Sequence, residues 1–131
     1  MRLVADSSVI TAICLAGGHL GPLDGHELHA PALLSSEVTS SIRQRQYRSD
    51  IDHELAQRAI AALGALSIAY APPGSLSEEA FRLAVANGWA KTYDAEFVAL
   101  GRKLDCPIVT LDGRLQRGAA HLATVLAPMD V

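Results

Sequence analysis

Aromatic side chains are scarce in this 131-residue chain: two Phe, three Tyr and one Trp. A core without them must be filled mostly by Ala, Leu, Val and Ile, which suits helices packed on strands. Cysteine is nearly absent as well. Cys14 and Cys106 each sit in an apolar run with no CxxC and no Cys/His spacing, so two buried free thiols in a reducing compartment are expected. Positive charge has no excess; the net charge is -3, no global field draws nucleic acid, and such a partner would need a local basic patch. Neither GxGxxG nor GxxxxGK[ST] occurs, which argues against a nucleotide-binding domain. The most apolar stretch, Ala59 to Pro73, is cut by Gly64 and Ser67 and falls short of the roughly 20 residues of a membrane span. No secretory leader pattern precedes Asp6. The length suits one domain with a real core, so a single cytoplasmic domain over residues 1–131 is expected.

What is present alternates between strand and helix patterns. Leu3-Val4-Ala5 reads as a buried parallel strand ending at Asp6, with Ser7 and Ser8 offering N-caps for a helix through Val9, Ile10, Ile13 and Cys14. Gly17 to Gly25 is a loop by composition, Glu27 to Ala30 a second short strand, and Leu34, Val38 and Ile42 mark a helix that carries Glu37. Ser49-Asp50 reads as the start of a helix through Leu55, Ala59, Ala62, Leu63 and Leu66, followed by a strand over Ser67 to Ala71. Ser75 to Glu79 resembles a capping segment for a helix ending at Asn87-Gly88. Tyr93, Phe97, Leu100 and Leu104 carry another helix; Pro107 bars its continuation into the strand Ile108-Val109-Thr110. Asp112-Gly113 turns into a short helix to about Ala120, and Ala123 to Leu126 gives a last strand. The order predicts an α/β three-layer sandwich, a mostly parallel central sheet flanked by helices.

In such folds ligands bind beyond the carboxyl ends of the strands. Asp6 and Asp112 both follow an apolar strand, Asp94 opens the helix leading to one of them, and Glu37 sits beside Leu34 and Val38 on an otherwise apolar face. Singly, each has an ordinary explanation: an N-cap for Asp6 and Asp94, a turn for Asp112, a solvated helix face for Glu37. Jointly they point to one acidic site. Clustered carboxylates raise one another's pKa and destabilise the fold unless a cation relieves them. An all-oxygen set suits Mg²⁺ or Mn²⁺ rather than Zn²⁺, held chiefly by Asp6 and Asp94, with Glu37 and Asp112 completing the shell or recruiting a second ion when substrate phosphate arrives. Ser8 and Thr110 can add a hydroxyl ligand or orient water. Glu96 is a fifth candidate, expected to project elsewhere on the helix.

The segments VADSSVI, SSEV, TYDAEFVALGRKL and PIVTLDGRL, in order over nearly the whole chain, resemble the motifs of the PIN-domain family, and most of all its VapC-type toxins. The resemblance implies an endoribonuclease dependent on Mg²⁺ or Mn²⁺, with Asp6, Glu37, Asp94 and Asp112 in the acidic positions. It also implies a hydroxyl role for Ser8 and Thr110, homodimerisation, and inhibition by a small VapB-like antitoxin covering the groove.

For RNA, Arg43, Arg45 and Arg48 follow Glu37, with Arg58 beyond; Arg114 and Arg117, just after Asp112, are a better-placed group. A solvated basic face explains the first set equally well. Trp89, Tyr93 and Phe97 are spaced as core, which leaves no base-stacking platform. The five histidines form no HxH or HxxxH pair and are expected on the surface. A phosphoacceptor or phosphatase domain would also place Asp at strand ends, but here the acid after the first strand stands alone and no lysine follows the later strands. The remaining alternative is a PIN-like RNA-binding or protein-interaction module without nuclease activity, against which the four acids count.

Overall fold

Three apolar residues in succession, Leu3, Val4 and Ala5, are hidden only if both faces of their strand are covered. In the computed structural model, which describes residues 1–131, they lie in β1 (Arg2–Ala5), the middle strand of five. Around it run β2 (Glu27–Ala30), β3 (Ile68–Tyr70), β4 (Ile108–Val109) and β5 (Val125–Leu126), in the order β3-β2-β1-β4-β5. All four pairings are parallel. The helices are α1 (Ser7–Leu15), α2 (Leu34–Tyr47), α3 (His53–Ala65), α4 (Ser77–Asn87), α5 (Tyr93–Leu104) and α6 (Gly113–Ala119). The first three pack on one another, α4 packs on α5, and α5 lies on β1 and β4. The expected three-layer α/β sandwich is present, with its sheet parallel throughout.

Strand order reverses at β1. The chain winds outward through β2 and β3, then returns to add β4 on the other flank. Val4 sits opposite Ile108 and Ala5 opposite Val109, and the Asp6 N–H donates to the Val109 carbonyl at 3.1 Å. Asp6 and Thr110 therefore leave the sheet side by side, where a doubly wound sheet opens a crevice.

Several helix starts differ from expectation. Asp6, not Ser7 or Ser8, caps α1: its carboxylate accepts from the Val9 N–H, and both serines lie inside the helix. Asp52, not Ser49-Asp50, caps α3; Ser49 has a left-handed φ of 62° and Asp50 instead accepts from Arg48. Ser75 closes a turn by donating to the Pro72 carbonyl, so α4 begins two residues later without a side-chain cap. Gly88 ends α4 in the left-handed conformation, as its position predicts (φ 70°).

The core holds 28 buried apolar residues in one cluster. Phe97 is its largest fully buried side chain. Gly101 lets α5 approach β4 closely: a Cβ there would stand 2.8 Å from Ile108 Cγ1. Cys14 is buried, whereas Cys106, expected to be buried, is only partly so, because it sits in the turn between α5 and β4; both are free thiols. No helix is long and apolar enough to cross a membrane.

Candidate active site

Asp6 directly follows β1 and is only 6% exposed, and three donors hold its carboxylate there. Oδ1 accepts from the Ser8 hydroxyl at 2.6 Å and the Val9 N–H at 3.1 Å; Oδ2 accepts from the Thr110 hydroxyl. A carboxylate offers about four lone-pair sites, so three are taken and one remains on Oδ2. Burial pushes the Asp6 pKa up, the Ser8, Thr110 and Val9 donors pull it down, and the charge of Asp94 adds to the rise.

Thr110 is fully buried and links two acids. Its hydroxyl donates to Asp6 and accepts from the Asp112 N–H at 2.9 Å, while Ser8 Oγ accepts from the Leu111 N–H at 3.0 Å. Both hydroxyls, expected as ligands or water-orienting groups, are engaged in fixing Asp6 and the turn after β4. Asp112 in turn caps α6 through Oδ1, which accepts from the Arg114 N–H at 2.9 Å.

Glu37 comes from the first turn of α2, whose apolar row Leu34, Val38 and Ile42 is buried against the core. Its Oε1 is buried and has no hydrogen-bond partner. Burial, then the charges of Asp94 and Asp6, raise its pKa to about 7; the Ser7 hydroxyl offsets part of this and Glu96 adds slightly. Glu96, expected to project elsewhere, lines neither cavity beside these acids, and its charge adds only slightly to the Glu37 shift. Asp94, in the first turn of α5, is open to the cleft, yet surrounding protein still raises its pKa, reinforced by Asp112 and opposed by Arg114.

Glu37, Asp94 and Asp112 line one cavity of about 540 Å³, together with Trp89, Tyr93 and Arg114. Asp6 is not on its wall but lies close enough to raise Glu37. No group of three or more acid, histidine or cysteine side chains is drawn together closely enough to hold a metal ion by itself. Mg²⁺ does not need one: it keeps several waters and takes one or two carboxylates plus substrate phosphate. The unpartnered Glu37 oxygen, the free lone pair on Asp6 and the mutual pKa elevation are what an oxygen-loving dication relieves, so the residues fit such an ion.

Over 128 residues the chain is 32% identical to VapC ribonuclease Mb0985 of Mycobacterium bovis, an alignment spanning 96% of this chain and 98% of that protein. The chain belongs to the VapC ribonuclease family. Two solved structures share its fold. PAE2754 from Pyrobaculum aerophilum matches with a TM-score of 0.74 at 20% identity, over 95% of this chain and 89% of that one. VapBC-1 from nontypeable Haemophilus influenzae matches with a TM-score of 0.62 at 12% identity, over 98% and 99%. The architecture is thus shared with both of these proteins. No protein-family model matches the chain.

The VapC fold sorts the arginines in a way their spacing only partly suggested. Arg45, eight residues beyond Glu37 on α2, lines a neighbouring cavity with Ser7, Ser8 and Thr11. Arg43 is on a different face, its guanidinium 5.5 Å from the Tyr47 ring centroid. Arg48 is paired with Asp50 and Arg58 with Glu54. Arg114 lines the acidic cavity; Arg117 lies against Gly113 and does not. Tyr93, expected in the core, is 55% exposed because it heads α5 at the open edge of the sheet. Phe97 is core and Trp89 packs against it half-buried, as expected. The histidines stay outside the acidic site; His29, expected at the surface, lies half-buried in β2, bonded to Glu27 at 2.7 Å.

Proposed function

We propose that this chain is a metal-dependent endoribonuclease, the toxin of a type II toxin–antitoxin pair, acting through Asp6, Glu37, Asp94 and Asp112. The observation that carries the reading is Glu37: a half-buried carboxyl with an unpartnered oxygen, raised to about 7 by its burial and two neighbouring acids. A folded chain gains nothing from such an arrangement alone; a site that collects a cation does.

Asp6 and Asp94 are the principal anchors for Mg²⁺ or Mn²⁺, with Glu37 and Asp112 completing the site. A bound cation supplies charge neutralisation at the phosphodiester and makes water a better nucleophile. The chain's own residues do the positioning. Ser8 and Thr110 lock Asp6 in one rotamer, and Thr110 and Arg114 set the turn that presents Asp112. Arg45, in the cavity beside Ser8, and Arg114, in the acidic cavity, bind flanking phosphates of the RNA; Arg117 adds to the basic rim, and Arg43 contributes little.

A VapB-like antitoxin inhibits by covering this groove, a role supported by the VapBC-1 fold match and the family. Homodimerisation is supported by Phe81 and Val85, one turn apart on α4 and 64% and 66% exposed. Residues 1–131 act as one domain, in the cytoplasm. The test is cleavage of a mixed RNA pool by antitoxin-free protein with Mg²⁺, Mn²⁺ or EDTA. Discrete cuts with either metal and none with EDTA are expected; no cuts with any metal, from folded protein, would replace this reading with a binding module.

A further inference from the structure

A second cavity of about 450 Å³ adjoins the acidic one, sharing Glu37 and Tyr93 with it. Its other walls include Leu33, Ser36, Ser40 and Gln44, and no lysine or arginine lines it. Ser36, Ser40 and Gln44 are spaced by four residues, so they form one row of α2 beside the Glu37 row. The choice of residues runs against the helix: five of its fourteen positions are Ser or Thr, which compete with helical hydrogen bonding. Local preferences of this kind are set aside mainly where a surface serves a ligand.

The chemistry of the walls narrows the ligand. With no cation, the cavity does not favour a phosphate. An open aromatic face (Tyr93, 55% exposed), an apolar edge and a row of hydroxyl and carboxamide groups match a flat heterocycle bearing hydrogen-bonding edges. Single-stranded RNA is read this way, by stacking an unpaired base on an aromatic ring and bonding its edge to polar side chains. Tyr93 lines the acidic cavity as well, beside Asp94 and Glu37, so a base on its ring belongs to a nucleotide next to the scissile phosphate.

We infer that this cavity is a nucleobase subsite, in which Tyr93 stacks the base adjacent to the cut and Gln44, with Ser36 and Ser40, selects its identity. The inference rests on the nuclease reading for its position in the reaction but not for base binding itself.

The experiment uses the full chain and the variants Tyr93→Ala, Tyr93→Phe and Gln44→Leu, all at exposed positions. Each is given RNA randomised around a central segment, with Mn²⁺, and product ends are sequenced. In parallel, an RNA oligonucleotide containing 2-aminopurine is titrated in EDTA, where stacking quenches its fluorescence. Expected are a base preference beside the cut, retention of preference and quenching in Tyr93→Phe, and weakening of both by about tenfold in Tyr93→Ala. Gln44→Leu keeps the quenching and changes the preferred base. Cleavage with the same preference and the same quenching in Tyr93→Ala and Gln44→Leu would overturn the subsite and leave the nuclease standing. Quenching that depends on Tyr93, without cleavage by the unaltered chain, would support the subsite and remove the nuclease.

Discussion

Thr110 donates its hydroxyl to Asp6 across 104 residues of sequence, so the residue just after β4 holds the acid just after β1. The same hydroxyl accepts from the backbone of Asp112. One buried side chain therefore fixes two of the four acids, and it can do so because parallel pairing brings both strands out of the sheet at the same edge.

Thr110→Val keeps the shape and removes both interactions. Asp6 loses one of two hydroxyl donors in a buried setting, at a cost of about 1–3 kcal/mol. We expect a lower melting temperature and a fall in RNA cleavage larger than the stability loss explains. Thr110→Ser restores most of the activity. Thermal melts and initial cleavage rates on the same preparations check this.

Stability responds to pH with a definite sign. Glu37 is raised from 4.5 to about 7, and Asp6 and Asp94 are raised as well. A carboxyl raised on folding favours the folded chain below its ordinary pKa, and that contribution is lost as pH rises through the folded value. For Glu37 the window is 4.5 to about 7. The loss is on the order of 2 kcal/mol after allowance for solvent at a half-buried group. Metal-free protein should melt at lower temperature at pH 8 than at pH 5.5, and Glu37→Gln should flatten that slope. Mn²⁺ should raise the melting temperature at pH 8 and do little at pH 5.5.

Gly101→Ala tests the packing that places β4. A methyl group at 2.8 Å from Ile108 Cγ1, 3.1 Å from its Cδ1 and 3.3 Å from the Cys106 carbonyl forces a shift of strand or helix. Overpacking of this kind costs about 1–3 kcal/mol. Denaturant unfolding should show a lower midpoint with an unchanged slope.

The two arginines of α2 should separate. Arg45→Gln should weaken RNA binding and lower the slope of log affinity against log salt by about one, while Arg43→Gln should change neither. Equal effects of the two substitutions across a salt series would remove the assignment of Arg45 to a phosphate.

Much of this is legible in the sequence. Alternating patterns gave the strands and helices, and Asp6 and Asp112 could be placed at one crevice because each follows a short apolar strand. The misplaced starts have a common cause. Ser7, Ser8, Ser49, Asp50 and Ser75 are all competent caps, and which residue serves depends on the backbone angle before the helix, such as the left-handed Ser49. Tyr93 read as core because its spacing to Phe97 matches a buried row; only the position of α5 at the open edge exposes it. Arg45 and Arg43 were both legible as basic residues after Glu37, but spacing alone did not separate them, because the cavity Arg45 lines is built from α1 as well as α2. The engagement of Ser8 and Thr110 with Asp6 was not legible, because the β1–β4 register is a tertiary fact.

The measurement that tests the central claim most directly compares metal-supported RNA cleavage by the unaltered chain with that of Asp6→Asn, Glu37→Gln, Asp94→Asn and Asp112→Asn, each confirmed folded by its melting curve. The account predicts cuts at defined positions with Mg²⁺ or Mn²⁺, lost by at least about a hundredfold in Asp6→Asn and Asp94→Asn, as expected when transition-state charge stabilisation is removed. Cleavage that survives both substitutions at its original rate and positions would contradict it.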